Sequence, residues 1–283
     1  MEKLPYSNRF RVVPGHRLRL REIDPNGTAR HASKAEALDE IQHYAQRMRE
    51  LQHLLYAEDR RSLLIVLQAM DTAGKDGTIR HVLGYMNPQG CRVAAFRVPT
   101  PEEAAHDFLW RAHRAAPGRG EVAIFNRSHY EDVLVARVHE LVPESVWRKR
   151  YERIHEFERL LHQDGTHILK FFLHISPDEQ LRRLRQRVKD PCRQWKVSES
   201  DFKERQYWSS YQTAYEDALQ RCSTEHAPWF VIPANHKWFR NLAVSRIVVE
   251  TLEALHMQFP PPRVDLESIR RTYLPASKEK KTT

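Results

Sequence analysis

The chain has 283 residues, 41% of them apolar, and a formal net charge of +9. This length and composition allow one large domain with a substantial core and exclude a disordered chain. The longest apolar stretch is too short to span a membrane, and residues 1–15 lack the apolar region of a secretory signal. The three widely spaced cysteines suit neither a disulfide framework nor a zinc site. We therefore expect a reduced, cytoplasmic protein, not bound to membranes, whose partner is anionic.

Five short, apolar, β-branched runs alternate with longer segments of helical periodicity. The runs predict strands over Ser62–Gln68, Arg92–Val98, Glu121–Phe125, Ile168–Ile175 and Trp229–Ile232. Helices are predicted from Ser33 to about Glu58 and over the patterns Val146–Leu161 and Phe239–Leu255. Such alternation implies parallel strands joined by right-handed crossovers. The expected fold is an α/β sheet, doubly wound, with helices on both faces.

Three segments fall outside this alternation, and we expect them to belong to one domain over residues 1–283. They are a helical extension over about 1–60, a basic segment over about 181–215 and a tail over about 260–283 with a mobile tip. Within the extension, residues 1–28 are polar and are expected to be irregular before the helix that starts at Ser33. Ligands of open parallel sheets bind at the carboxyl ends of the strands. The loops after Gln68, Phe125 and Ile175 are therefore expected to carry the chemistry.

The first strand leads into a small-residue loop that contains Gly74-Lys75, and then into a helix. This order is typical of a phosphate-binding loop, in which backbone N–H groups hold anionic oxygens and the lysine reaches the outer phosphate. The strict G-x-x-x-x-G-K-[ST] pattern fails twice, because Ala69 replaces the first glycine and Asp76 replaces the hydroxyl residue. An ordinary strand-to-helix turn is the alternative. A Mg²⁺ ion here would need a carboxylate in place of the missing hydroxyl, and Asp71 is the candidate.

A second polar segment follows the third strand, where Phe125 is succeeded by Asn126-Arg127-Ser128-His129-Tyr130-Glu131-Asp132. Nucleotide kinases hold their metal partly with an acid near the end of a neighbouring strand, and this segment offers two acids and an arginine. A polar surface turn would also account for it. We expect His129 to shape the segment and not to transfer protons.

The excess positive charge is concentrated in residues 181–206, which hold nine lysines or arginines and only four acids. Phosphoryl transfer needs positioning and cations more than covalent chemistry. A movable basic segment over a phosphate loop would neutralise the transferred group and exclude water. The alternative is a solvated helix face that happens to be basic.

Together these segments resemble the polyphosphate kinase 2 family over roughly Leu4–Leu255. The resemblance rests on four motifs in order, which are Gln68–Ile79, Phe125–Asp132, Lys189–Lys196 and Trp229–Asn241. The phosphate loop with Asp71 and Asp76 has the form usual in that family. The resemblance implies a three-layer α/β/α P-loop kinase fold, similar to thymidylate kinase, with the basic segment as a helical lid over the parallel sheet.

The resemblance also implies roles for individual residues. The catalytic group would be Asp71, Lys75, Arg127 and Asp132, with Asp71 and Asp132 holding Mg²⁺ (or Mn²⁺) and Arg127 stabilising the phosphoryl group in transfer. Phosphates would be bound by Thr72, Ala73, Gly74, Lys75, Asp76 and Gly77 in the loop and by Arg187, Lys189, Arg193 and Lys196 in the lid. The nucleotide would contact Asn126, Ser128, Tyr130 and Glu131.

Members restricted to nucleoside diphosphates have Tyr-Asn-Arg where this chain has Tyr130-Glu131-Asp132. The chain thus resembles class III members, which act on both AMP and ADP. We expect transfer between inorganic polyphosphate and AMP, ADP and ATP, hence ATP regeneration, with guanine nucleotides as further candidates. Members of this family commonly form dimers that pair into tetramers, so the resemblance implies a homodimer or tetramer.

Two rival functions stay open. One is an ATP-donor nucleotide kinase of the same fold. The other is a nucleic-acid-binding protein, suggested by the basic charge. Nucleic acid is not the expected partner, because carboxylates at Asp71 and Asp132 would repel phosphate without a metal.

Overall fold

Residues 5–274 are described by a computed structural model, and their centre is one sheet of five parallel strands. The strands are β1 (Ser62–Ala69), β2 (Cys91–Ala95), β3 (Val122–Asn126), β4 (Thr166–His174) and β5 (Trp229–Pro233). Their order across the sheet is β2-β3-β1-β4-β5, so β1 lies in the middle and β2 and β5 are the edges. All five predicted strands are present. β2 ends earlier than predicted, because the chain leaves the sheet before Val98, which is 90% exposed and precedes Pro99.

Helices cover both faces of the sheet, as predicted. In chain order they are α1 (Tyr6–Arg9), α2 (Lys34–Glu58), α3 (Lys75–His81), α4 (Pro101–Ala105), α5 (Trp110–Ala115), α6 (Val135–Val138), α7 (Glu144–Gln163), α8 (Pro177–Lys189), α9 (Glu199–Lys203), α10 (Trp208–Cys222), α11 (Lys237–Glu253) and α12 (Leu266–Tyr273). Short 3-10 turns lie at Leu20–Glu22, Leu83–Tyr85, Pro88–Gly90, His129–Asp132, Gln194–Lys196 and Glu204–Tyr207.

The two faces of β1 feed two separate cores, because successive side chains of a strand point in opposite directions. Leu63, Ile65 and Leu67 pack into a core with α2, α3 and α11. Leu64 and Val66 pack into a second core with α5, α7 and α10. The molecule therefore has the three layers of the predicted α/β/α fold, with β1 buried on both sides.

The segment before α2, which we call the strap (residues 5–31), is largely irregular, as predicted for residues 1–28. Only α1 and one 3-10 turn are helical, and most of the strap has no regular structure. It is nevertheless fixed, since Tyr6 and Leu20 are buried. Val12 N donates to Trp229 O at 2.8 Å, and Val231 N donates to Phe10 O at 2.9 Å. The strap thus pairs with β5 and covers that edge of the sheet.

The predicted basic lid corresponds to the end of α8, α9, two 3-10 turns and the start of α10. Most of its residues between 189 and 205 are exposed. The predicted mobile tip of the tail lies outside the described residues, and the described part of the tail includes α12. Among residues 5–274, no helix is both long and apolar enough to cross a bilayer.

Candidate active site

The loop between β1 and α3 lies at the carboxyl end of the sheet and turns through two left-handed residues. Thr72 has φ 64° and Gly74 has φ 113°. Left-handed backbone is uncommon for a residue other than glycine, and such strain is concentrated at functional sites. The loop therefore has a backbone conformation that its local sequence does not favour, and contacts with the rest of the protein must stabilise it.

Two arginines, Arg183 of α8 and Arg240 of α11, hold the carbonyl groups of this loop. Arg183 Nη1 donates to Thr72 O at 3.1 Å and to Ala73 O at 2.7 Å, and Arg240 Nη1 donates to Ala73 O at 3.2 Å. In a trans peptide, C=O and N–H point in opposite directions. The N–H of Gly74 consequently points away from the arginines, as an anion-binding loop requires.

Lys75, the first residue of α3, lies half-buried beside the loop. Its Nζ donates to Ala69 O at 3.3 Å. Burial lowers the pKa of Lys75, while the neighbouring carboxylate of Asp71 opposes that shift. An ammonium group has three N–H donors, so two remain for phosphate oxygens.

Asp71, Arg127 and Glu131 line one cavity of about 40 Å³ next to the loop. Arg127, at the end of β3, has φ 62°, and its guanidinium lies between the two acids. Arg127 Nη2 is 3.2 Å from Asp71 Oδ1, and Nη1 is 3.6 Å from Glu131 Oε2. Burial raises the pKa of Glu131, against the pull of Arg127 and Lys75. The cavity therefore combines one cation, Arg127, with three acids, because Glu204 lines it together with Asp71 and Glu131.

Asp132, which was predicted to share a metal with Asp71, is held elsewhere. Its Oδ1 lies 3.1 Å from Arg150 Nη1 and its Oδ2 lies 3.5 Å from Arg111 Nη2. It does not line the cavity. The geometry thus brings Glu131, and not Asp132, next to Asp71, because two arginines from α5 and α7 neutralise the Asp132 carboxylate.

Asp71 is chemically suited to Mg²⁺. Its side chain is 31% exposed, and only Oδ1 is engaged by Arg127. Mg²⁺ in phosphotransferases is held by one or two carboxylates together with substrate phosphates and water, so a complete protein cage is not required. No group of three or more His, Cys, Asp or Glu among residues 5–274 forms such a cage.

Ser128 and Tyr130, predicted to contact the nucleotide, are instead fully buried in the loop after β3. Ser128 Oγ accepts from Tyr130 N and from Gln68 Nε2, both at 3.1 Å. Tyr130 Oη donates to Glu158 Oε1 at 2.8 Å. Both side chains therefore position the loop that presents Glu131.

A buried polar cluster of His129, Tyr130, Glu158 and Lys170 supports this loop from behind. Lys170 Nζ donates to Glu158 Oε2 at 2.5 Å, to Tyr130 Oη at 2.9 Å and to Cys222 O at 2.7 Å. His129 Nε2 lies 3.4 Å from Glu158 Oε1, and burial lowers the pKa of His129. His129 is 0% exposed, which agrees with the expected shaping role.

Besides Arg183, which binds the loop carbonyls, the lid reaches the phosphate loop through two further connections. Lys196 Nζ lies 3.0 Å from Asp76 Oδ2, and Asn126 Nδ2 donates to the other oxygen of Asp76 at 3.0 Å. Gln180 Nε2 donates to Asp71 O at 3.0 Å, while Gln180 Oε1 accepts from Arg205 Nη1 at 2.6 Å. The lid is thus already in contact with the loop.

The other predicted lid cations do not touch the loop. Arg187 braces the lid internally, with Nη1 2.8 Å from Asp201 Oδ2. Lys189 and Arg193 instead line an open groove with Lys237 at the start of α11.

Several residues of the site were missed by the sequence reasoning. Tyr211 and Tyr215 of α10 line the cavity, and Tyr215 Oη donates to Ala69 O at 3.1 Å. Their i, i+4 spacing was visible but marks any buried helix face equally well. Arg240 belongs to the motif Trp229–Asn241, but nothing in the sequence indicated that its side chain reaches the phosphate loop.

Comparisons with known proteins agree with this geometry. A family model described as polyphosphate kinase 2 matches residues 31–260. A relative from Meiothermus ruber, named AMP/ADP-polyphosphate phosphotransferase, is 54% identical over 92% of this chain and 98% of its own length. One from Rhodopseudomonas palustris, named ADP-polyphosphate phosphotransferase, is 44% identical over 90% of this chain and 92% of its own. A crystal structure of polyphosphate kinase 2 from Arthrobacter aurescens superposes with a TM-score of 0.91, at 41% identity, over 95% of this chain and 96% of that one.

Proposed function

This chain belongs to the polyphosphate kinase 2 family, and we propose that it transfers phosphoryl groups between inorganic polyphosphate and adenine nucleotides, with both AMP and ADP as acceptors. The observation that carries the proposal is the meeting of Asp71, Arg127 and Glu131 around one cavity beside Lys75. That arrangement places a phosphate loop, a cation and carboxylates within one small space.

The reaction follows from the positions of these groups. An oxygen of the acceptor's terminal phosphate attacks the terminal phosphorus of polyphosphate, and the bridging P–O bond breaks. The shortened polyphosphate leaves with the electron pair on its oxygen. Loop N–H groups and Lys75 hold the transferred group, and Arg127 faces the charge that spreads over its oxygens.

Asp71 would hold Mg²⁺ through its free oxygen, and the bound ion would neutralise phosphate charge during transfer. The residues of the chain supply the remaining requirements. The lid, with Lys196 already at the loop, excludes water that would otherwise hydrolyse the donor. The open groove of Lys189, Arg193 and Lys237 gives a long anionic chain a basic surface beyond the loop.

Glu131 supports the use of both acceptors. It stands where diphosphate-specific members have asparagine, and the M. ruber relative is named for both AMP and ADP. It lines the cavity, and its side chain is 14% exposed. Assembly into a homodimer or tetramer, a cytoplasmic location and use of guanine nucleotides remain predictions.

The test mixes purified protein, Mg²⁺ and long-chain polyphosphate with AMP or with ADP and follows the nucleotides by chromatography. We expect ADP from AMP and ATP from ADP, with both products lost in Lys75→Ala. Product with ATP but not with polyphosphate as donor would instead identify an ATP-donor nucleotide kinase. If the folded protein forms no product with either donor, the chain shares the family and its fold but does not have this activity.

A further inference from the structure

The side chain of Arg240 lies directly against the backbone of the phosphate loop. A Cβ added at Gly74 would collide with its Nη1, and one added at Gly77 would lie 3.1 Å from its Nη2. Both glycines of the loop therefore leave room for this guanidinium. Arg240 is 2% exposed and does not line the cavity, so it cannot contact a substrate in the cavity directly.

Arg240 carries a buried positive charge that no carboxylate of residues 5–274 balances through an ion pair. Its hydrogen bonds go to Ala73 O and to the amide oxygen of Asn241, which accepts from Nε at 3.1 Å and from Nη2 at 2.7 Å. Within residues 5–274 its charged neighbours are other cations, Arg183 and Lys237. Burial, followed by Arg183, lowers the pKa of Arg240 to about 9, so it stays protonated at neutral pH.

Arg183 offers a comparison within the same loop. It also donates to Ala73 O, but its Nε lies 2.6 Å from Glu179 Oε1 and its charge is thereby balanced. Hydrogen bonding of the loop therefore does not require an unbalanced charge. An isolated buried charge is unfavourable unless something compensates it.

We propose that Arg240 is a positioning residue of the phosphate site, whose buried charge is balanced by the bound polyphosphate through the thickness of the loop. The guanidinium lies on one side of the loop backbone. The Gly74 N–H points to the other side, where a bound anion would lie. The peptide dipoles between them are aligned by the bond to Ala73 O, and field effects are strong where water is excluded. Arg240 thus increases affinity for the anion without touching it. This inference rests on the proposed function for its ligand.

The decisive variant is Asn241→Asp, which places a carboxylate at the acceptor that Arg240 already uses. It keeps both hydrogen bonds and the fold of the loop while neutralising the guanidinium in place. Binding of tripolyphosphate and of ATP is measured by calorimetry, each without and with Mg²⁺. We expect about tenfold weaker binding in Asn241→Asp, the size of effect that one nearby charge produces in a partly buried site.

Two further variants and one control separate charge from structure. Arg240→Gln is expected to weaken binding by about 10- to 50-fold, whereas Arg240→Lys, which keeps the charge, should stay within about threefold of the parent. Gln163→Glu adds the same charge at the end of α7, at the opposite end of the sheet, and should bind as the parent does. Thermal unfolding checks that each variant is folded.

Undiminished binding in Asn241→Asp would overturn the inference, as would equal losses in Arg240→Lys and Arg240→Gln. If the parent protein binds ATP but not tripolyphosphate, polyphosphate is not the donor and the proposed function is wrong. The effect of each variant on ATP binding would then still test the role of Arg240. If the parent protein binds neither tripolyphosphate nor ATP, both the proposed function and the role of Arg240 are overturned.

Discussion

Lys196 of the lid and Asp76 of α3 form an ion pair, with Nζ and Oδ2 3.0 Å apart. The pair connects the lid to α3, the helix that begins at the phosphate loop. Asp76 occupies the position where the strict loop pattern has a hydroxyl residue. Because phosphate in the loop would compete with Asp76 for Lys196, this pair holds the lid against α3 in the ligand-free protein, and bound phosphate would take over that contact.

Disrupting this pair should loosen the lid. The two side chains are 37% and 65% exposed, and such pairs contribute about 0.2–1 kcal/mol. We therefore expect Asp76→Ala and Lys196→Ala each to raise the rate of chymotrypsin cleavage at Trp195 and Phe202 by about two- to fivefold in ligand-free protein. The double variant should show no further increase. Additive increases would mean that the two residues hold the lid independently.

Gly74→Ala should strongly reduce activity, because the new Cβ collides with Arg240 and φ 113° is unfavourable for alanine. Backbone strain alone costs about 1–3 kcal/mol at such positions. We expect kcat/KM to fall by at least about 100-fold, the effect typical of losing one donor to the transferred group. Gly84→Ala is the matched control, since the nearest atom to its Cβ is 3.5 Å away and its backbone is helical. Equal losses in both variants would contradict the argument.

Glu131→Asn should reduce the use of AMP far more than the use of ADP. The carboxylate lines the cavity and lies 3.6 Å from Arg127, so its loss changes how a shorter acceptor is positioned against the donor. The measurement is kcat/KM for each acceptor with polyphosphate as donor. Equal losses for AMP and ADP would show that Glu131 serves transfer in general and does not select the acceptor.

Glu131→Gln should stabilise the protein at alkaline pH. Burial raises the folded-state pKa of Glu131, so its ionisation favours the unfolded chain. The protonated carboxyl of Glu131 contributes fully to the free energy of unfolding at pH values below the ordinary carboxyl pKa. This contribution is lost as the pH rises through the raised pKa of the folded state. Thermal melts should therefore coincide near pH 4 and separate towards pH 8, with Glu131→Gln melting higher. A lower melting temperature at pH 8 would mean that attraction to Arg127 outweighs burial.

Lys170→Met should be strongly destabilising, because it leaves Glu158 buried without a cation. Breaking a buried pair typically costs about 3–5 kcal/mol, and both side chains are at most 1% exposed. The free energy of unfolding, measured in urea, should fall by that amount. Adding Glu158→Leu should restore part of it, because no charge is then left unpaired. Glu225→Ala removes an exposed partner of Arg11 and should cost under about 1 kcal/mol.

Acid unfolding should also depend on this pair. Burial by itself would raise the pKa of Glu158, but Lys170 and His129 hold it below the ordinary value. Its stabilisation is present above the ordinary carboxyl range and is lost as pH falls through the lowered folded value. Double replacement by Lys170→Met and Glu158→Leu should therefore flatten the acid side of the stability curve. An unchanged acid transition would assign it to other carboxylates.

The fold was predictable because its signal is local. Each strand is a short apolar run, and α2 begins at Lys34, directly after the predicted start Ser33, whose side chain caps the helix by accepting a hydrogen bond from Glu36 N. The irregular backbone of the strap was predicted, but its burial was not, because the surface that covers Tyr6 and Leu20 is formed by distant residues. Local propensity contains no information about that surface.

The site was predictable only as far as the phosphate loop and the segment after β3. Which acid of the adjacent Glu131-Asp132 pair faces the cavity depends on the 3-10 turn at His129–Asp132 and on arginines contributed by α5 and α7. Burial of Tyr130 likewise depends on Lys170 of β4 and Glu158 of α7. Such contacts bring together residues far apart in sequence, and no spacing rule reports them.

The strap also sets a condition on the order of folding. Arg11 Nη2 donates to Thr224 O, a residue 213 positions later, and the strap's backbone pairs with β5 shortly after that. During synthesis the strap leaves the ribosome well before β5, so it stays unpaired until β5 has followed. Contacts of such high sequence separation form late, so the exposed edge of β5 is protected from pairing with another molecule only in the last step of folding.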